Sequence, residues 1–245
     1  MGVLVSMSDT LLIKAGESIS RIVPLVAGEK VLTIVVAESA ALVLSLPGAV
    51  ANGETAKWRI EAKVGKDAQL HCITSLLHGA AVEVEIVIHL MQPGAAAKVT
   101  AMAHCREMET QVFNVTMHHQ APHTTGDIAI RGVAEGKSKA TFSGLIKIDP
   151  VAQQTKSYFR DDVLLLDQAF ARSLPTLEIE ANDVRASHGS TTSRINADQL
   201  FYLQSRGLDV LTARRMIVNG FVAPVLQRVP EAFCTPFQVV TEIGI

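Results

Sequence analysis

Along most of the chain apolar and polar residues alternate, or run apolar, over lengths that suit strands better than helices. Residues 32–36, 41–46, 56–62, 82–89 and 112–117 read this way. Turn chemistry separates such runs at Pro47-Gly48, Gly65-Lys66-Asp67, Pro93-Gly94, Glu135-Gly136 and Asp149-Pro150. No helical period of useful length occurs before residue 196. Two architectures can absorb so many short strands, an antiparallel sandwich and a parallel solenoid. Ala152, Ala169 and Ala186 recur every 17 residues, each preceded within three positions by Asp149, Asp167 or Asp183, with apolar segments at 163–166 and 177–179 between them. A fixed spacing is what stacked coils produce, since each coil is buried by its neighbours, and small alanines suit tight corners. The expected body is therefore a parallel β-helix over residues 1–195.

From residue 195 the texture changes. Asn196 is a good N-cap, with Gln199 placed for a capping box. Leu200, Phe201 and Leu203 follow at helical spacing, and Gly207 after Arg206 is a natural stop. Asp209 can cap a second helix bearing Leu211, Met216, Ile217 and Val218. Pro224 then kinks that helix or opens a third, and a short last helix is expected over 237–243. Residues 196–245 thus form a small C-terminal α-helical region.

Composition narrows the function classes. Hydrophobic residues make up 48% of 245, with only 4% aromatic and 19% charged, which suits stacked sheets of small and β-branched side chains. The formal charge of -2 provides no global basic field for nucleic acid or anionic lipid. The apolar runs are too short to cross a bilayer, and residues 1–10 do not read as a signal peptide. Three distant cysteines (Cys72, Cys105, Cys234) and no C-x-x-C pair speak against a disulfide framework or zinc knuckle. A reducing cytoplasm is the expected compartment. G-x-S-x-G, H-E-x-x-H and a P-loop are all missing, so no means of hydrolysing ATP is visible.

Residues 183–192 read D-V-R-A-S-H-G-S-T-T and run on into D-Q-L-F-Y-L-Q-S-R-G at 198–207. This resembles the signature of the SufB/SufD family of iron–sulfur cluster assembly proteins, D-V-x-x-S-H-G-A-T followed by F-Y-L-x-S-R-G. Pro175 with Leu177-Glu178-Ile179 is similar to the family's P-x-L-E-I. Gly132-Val133 with residues 140–146 resembles its R-G-V…A-x-F-x-G-x-I, and Asn219-Gly220-Phe221 its N-G-F. The likeness spans about residues 110–230 in order. It implies a right-handed parallel β-helix followed by C-terminal helices. It also implies pairing through the β-helix with a SufB-type paralogue or with itself, and docking of a SufC-type ABC ATPase by the helices. On such a scaffold a transient iron–sulfur cluster is built, shared with the partner, and passed to recipient apoproteins. The family histidine falls on His188. The SufB-side cysteine position reads Asp167-Gln168-Ala169, without a thiol, and Ser187 and Gly189 replace the acidic neighbours of the SufB histidine. The chain therefore resembles the SufD side.

Each candidate has a plainer reading. His188 is the candidate cluster ligand, since imidazole suits iron; the alternative is a turn histidine bonded to backbone. His118, His119 and His123 form H-H-x3-H, but neighbours in a strand face opposite ways, so structural roles are favoured. Cys72 and Cys105 read as small buried hydrophobes. Leu200, Phe201, Tyr202, Arg206 and Phe221 are the expected partner-binding residues, or a cap on the solenoid; Phe201 is assigned to core and Arg206 to surface contact. Asp161 and Asp162 beside Arg160 are the only dense charged group that a carbohydrate-active β-helix enzyme could use, and a solvated turn explains them better. A purely structural dimerisation module is the remaining alternative.

Overall fold

The structure, a computed structural model, describes residues 7–234. Strands β1 (Met7–Ile13), β4 (Gly28–Val36), β6 (Thr55–Val64), β8 (Ala81–Leu90), β10 (Thr110–His119), β12 (Lys139–Ile148) and β14 (Phe170–Ile179) form one parallel sheet in that order. The second sheet contains β2 (Ser18–Ile22), β5 (Ala41–Ala49), β7 (Gln69–Leu76), β9 (Ala96–Cys105), β11 (Thr125–Ala134), β13 (Thr155–Leu165) and β15 (Val184–Arg194). A two-residue strand, β3 (Leu25–Val26), pairs with β5. Consecutive strands alternate between the sheets, so two strands and two corners make one coil of a parallel β-solenoid.

The period of 17 is not the coil. Register partners such as Thr110 and Lys139, or Thr155 and Val184, lie 29 residues apart. Ala152 and Ala169 sit at successive corners on opposite edges, and Ala186 lies within β15. The expectation of alanines at corners fails for Ala186 but is met elsewhere: Ala40, Ala68, Ala95 and Ala152 are buried where the first sheet turns into the second. The amide of each closes a turn onto the carbonyl three residues back. In three of these corners a left-handed residue stands just before the alanine, Ser39, Asp67 or Gly94.

Alternation places every second side chain between the sheets. In the first sheet Ile34, Ala62, Ile88, Met117 and Ile146 stack into one interior row, and in the second Leu44, Cys72, Val99, Ile128 and Phe159 form another. Two glycines of the motif segments make room for aromatic rings in this core. A Cβ on Gly132 would lie 2.7 Å from the Phe142 ring, and one on Gly144 would run into Phe159.

Helices α1 (Ala197–Ser205) and α2 (Val210–Leu226) follow, then a short 3-10 turn at Glu231–Phe233. The Asn196 side chain caps α1 and Asp209 caps α2, as the sequence predicts. Pro224 lies inside α2 within its last turn and opens no third helix. The helix expected over 237–243 lies outside the described residues. Helix α2 lies on the outer face of the second sheet. There Val218, Val222 and Val225 pack with Ile73, Met102, Val133 and Leu164 in a second core, which is why the later halves of β7, β9 and β13 are buried on both faces.

Candidate functional site

The last coil leaves the solenoid open. β14 and β15 end their sheets, so among the described residues no strand covers their outer backbone edges or their inward-facing side chains. In register, His188 continues the row Leu44, Cys72, Val99, Ile128 and Phe159, and it is exposed where the others are buried. An imidazole thus heads an otherwise apolar stack at the mouth. Ser190 stands two positions along the same face of β15. Cys72 lies in the same stack four layers down, roughly 19 Å away at the usual strand spacing. Burial pushes its thiol up to about 12, and that of Cys105 likewise. Neither cysteine can reach the mouth. Among the described residues no three His, Cys, Asp or Glu side chains could hold a metal ion together.

The other histidines separate as alternation requires. His118 faces out and meets Asp149 Oδ1 at 2.8 Å. Its ring tilts against that of His89 with centroids 5.5 Å apart. His119 faces in and is buried, its two ring nitrogens within 2.8 Å of Thr124 Oγ1 and 2.9 Å of Ser157 Oγ. Burial, and secondarily the neighbouring His118, lower its pKa to about 4. His123 takes a left-handed corner position with φ 60°, and does not share the face of His119.

Asp161 and Asp162 are not in a solvated turn. Both lie in β13, Asp161 facing the interior and fully buried, Asp162 facing the other way beneath α2. Their opposite directions prevent them from serving one catalytic groove. Asp162 Oδ2 is 3.0 Å from Arg131 and 2.8 Å from Arg160. Asp161 Oδ2 accepts from Ser173 of β14, and Ser190 Oγ donates to Ser173 Oγ at 2.7 Å. The second Asp161 oxygen has no partner among the described residues, and burial raises the pKa of this carboxyl against the lowering effect of the two serines. Burial is not readable from composition, so the sequence alone hid this pair; the signal was its place inside an alternating run.

The helices form a second feature. α1 buries none of its residues, and Phe201 is 72% exposed and Tyr202 55%. The assignment of Phe201 to the core is therefore wrong: an isolated two-turn helix has one supported face, and that face carries the half-buried Leu200 and Leu203. Arg206 is exposed and stacks over Tyr202 at 5.2 Å. Between α1, α2 and the end of β15 runs a groove of about 680 Å³, lined by Leu164, Ile195, Tyr202, Leu203, Met216 and Phe221. Arg131 fixes its floor, donating to the Phe221 carbonyl at 2.8 Å with its guanidinium 4.8 Å from the Phe221 ring. Arg214 holds Asp167 at 2.8 Å and Arg228, just past the end of α2, pairs with Asp127, so with Arg131 three arginines tie α2 and the segment after it to the solenoid.

Comparison with known proteins adds the following. The SUF-system FeS cluster assembly SufBD core domain matches residues 17–221. An iron–sulfur cluster assembly SufBD family protein of Mycobacterium tuberculosis (strain H37Rv) is 31% identical over 150 residues, covering 61% of this chain and 18% of that protein. A SufBD family protein of Synechocystis is 35% identical over 118 residues, 48% of this chain and 25% of its own length. One from Mycobacterium leprae is 29% identical over 177 residues, 69% of this chain and 45% of its own. The chain thus spans less than half the length of each of these relatives.

Proposed function

This chain belongs to the SufBD family of iron–sulfur cluster assembly proteins, and from that premise we propose that it is a SufD-like, non-catalytic scaffold subunit of a cytoplasmic assembly complex. In this reading the solenoid of residues 1–195 pairs, through its open last coil, with a SufB-type paralogue or with a second copy of itself. The helical region of residues 196–245 docks a SufC-type ABC ATPase, which supplies ATP hydrolysis. The transient cluster is cargo, handed on to recipient apoproteins. The observation that carries the proposal is the mouth: two edge strands that no other described strand covers and, between them, His188 exposed at the head of an apolar row. Uncovered edges are templates for pairing, and a lone imidazole needs ligands from elsewhere to complete an iron site. The lack of a thiol at Ala169 fits a subunit that supplies only the histidine. Support for the docking role comes from α1, whose Phe201 and Tyr202 are exposed beside the groove.

The test is anaerobic co-expression with the paralogue and the ATPase, followed by cluster reconstitution read by absorbance. His188→Ala should lower cluster content severalfold while the complex still co-purifies. Phe201→Ala with Tyr202→Ala should instead lose the ATPase and keep the paralogue. Unchanged cluster content in His188→Ala would remove the histidine from the mechanism, and failure to recover either partner would defeat the scaffold reading.

A further inference from the structure

The formal charge of the chain is -2, yet its cations are not spread evenly over the two sheets. α2 covers the later halves of the second-sheet strands and leaves their first halves open on the outer face. On that open strip Lys98 of β9, Lys156 and Arg160 of β13, and Arg185 of β15 all stand exposed, and Arg228 reaches in from beyond the end of α2. The carboxylates within the strip are already engaged. Asp127 pairs with Arg228, and Asp162 lies beneath Arg131 and Arg160. No ion pair among the described residues includes Lys98, Lys156 or Arg185. Asp162 meets Arg160 at Nε, and a guanidinium carries five N–H donors, so Arg160 has donors to spare. The outer face of the first sheet differs. Its charges are close to balanced and form cross-strand pairs such as Lys57–Glu83, Arg59–Glu85 and Lys147–Glu178.

The strip also has relief. A hollow of about 220 Å³ is lined by Val43, His71 and Lys98. A second, of about 190 Å³, lies between Arg160, Arg228 and the Pro224–Val225 wall of α2. A third, of about 230 Å³, is bounded by Lys156 and Arg185, with Asp183 at its rim. Tyr158, 39% exposed, stands between Lys156 and Arg160 on β13. The field here is positive enough to act on His71, whose pKa is lowered to about 4 by burial first and then by Lys98 and Arg228, against Asp127. Strands β9, β11 and β13 are each paired on both sides, so no backbone edge is available, and recognition on this face falls to side chains.

We propose that this strip docks an acidic segment of a partner polypeptide, with Lys98, Lys156, Arg160, Arg185 and Arg228 receiving its carboxylates. Charge and size select this partner class. The whole chain is negative while the strip is positive, so the remaining surface is more negative still. Nucleic acid or an anionic membrane presents charge over a long span and meets that negative remainder as well. A short acidic segment meets the strip alone, because fields at physiological salt decay over about 8 Å. From β9 to β15 the strip crosses three strand spacings, about 14 Å, the reach of about four extended residues. None of the five cations lines the groove between α1 and α2, so this surface is separate from the docking proposed above.

The test is fluorescence anisotropy of a fluorescein-labelled hexaglutamate peptide titrated with the full chain at low and at physiological salt. Lys156→Glu with Arg185→Glu reverses two exposed cations of the strip. Lys63→Glu with Lys139→Glu makes the same change of net charge at two exposed positions on the outer face of the first sheet. At low salt the strip variant should bind the peptide about tenfold or more weakly and the control less than about twofold, with affinity falling as salt rises, as electrostatic complementarity requires. Circular dichroism checks the fold, and Lys98→Glu alone, expected to weaken binding about threefold, serves if the double variant does not fold. Equal loss in strip and control variants, no loss in the strip variants, or no binding of hexaglutamate to the wild type would overturn the proposal. So would an oligothymidylate or phosphatidylserine vesicles that bind the wild type more tightly than hexaglutamate and lose that binding in the strip variant, since the strip would then belong to nucleic acid or membrane.

Discussion

His119 shows what a single buried side chain does to the stability of the molecule. Its imidazole is neutral, satisfied by two hydroxyls, and burial lowers its pKa from 6.5 to about 4. The unfolded chain therefore binds a proton between those values that the folded chain refuses. Stability from this group is complete above pH 6.5 and is lost as the pH falls towards 4, on the order of 3 kcal/mol in all. His71, also lowered to about 4, chiefly by burial, adds to the same acid limb. Urea unfolding at pH 7.5, 5.5 and 4.5 should show this loss, and His119→Gln should flatten it; an equally steep limb in the variant would refute the assignment. Gly144 is the opposite case, a residue defined by what it lacks. With Phe159 filling the space above it, Gly144→Ala should cost about 1–3 kcal/mol, read as a lower urea midpoint, and a neutral result would mean that the ring relaxes freely. Glycine in a motif is visible in sequence; which aromatic ring it admits is not, because the partner lies across the solenoid interior.

At the scale of elements, the two helices differ in what holds them. α2 has a buried valine face and two arginine ties, with a third at Arg228 just beyond its end. α1 has no buried residue and depends on its ends, where Asn196 accepts from the Asp198 amide at 2.8 Å. Removing that cap should cost about 1 kcal/mol of helix stability. In so unsupported a helix this appears as faster amide exchange across α1 in Asn196→Ala, with α2 unchanged; exchange that rises equally in both helices would show that they melt as one unit. The caps were legible because they are local chemistry: Asn196, Gly207 and Asp209 all stand at helix ends. The exposure of Phe201 was not legible, since a short apolar run does not say which face meets the body of the protein. The aspartates of β13 failed for a related reason. Charged residues were read as solvated because that is their common state, although the alternation around them already placed them in a strand.

For the whole molecule, strand punctuation left a sandwich and a solenoid open, and the solenoid was chosen on a 17-residue spacing that is not its repeat and on the resemblance of the later segments to a known family. Corner residues recur twice per coil, so alanine spacing alone could not separate the two periods; only the pairing of Thr110 with Lys139 and of Thr155 with Val184 does so. A solenoid also has a consequence that single residues do not announce. Each coil is covered by the next, and the last is covered by nothing in the described chain, which leaves β14 and β15 as edges. Natural sheets protect such edges with charge, yet before Arg194 at its end the inward row of β15 presents only uncharged or neutral-capable side chains, Ala186, His188, Ser190 and Thr192 among them. If the mouth is an assembly surface, a charge placed there should act as that missing protection. Thr192 is exposed and faces inward, so Thr192→Lys can be accommodated without disturbing the fold. Sedimentation of the chain alone, and mixed with the SufB-type paralogue proposed above, should show concentration-dependent pairing in at least one case. The lysine should weaken it about tenfold or more, equivalent to roughly 1.4 kcal/mol, with circular dichroism unchanged. A Thr192→Lys variant that pairs as well as the wild type would move the interface away from the open coil, and His188 would then be left facing solvent instead of a partner.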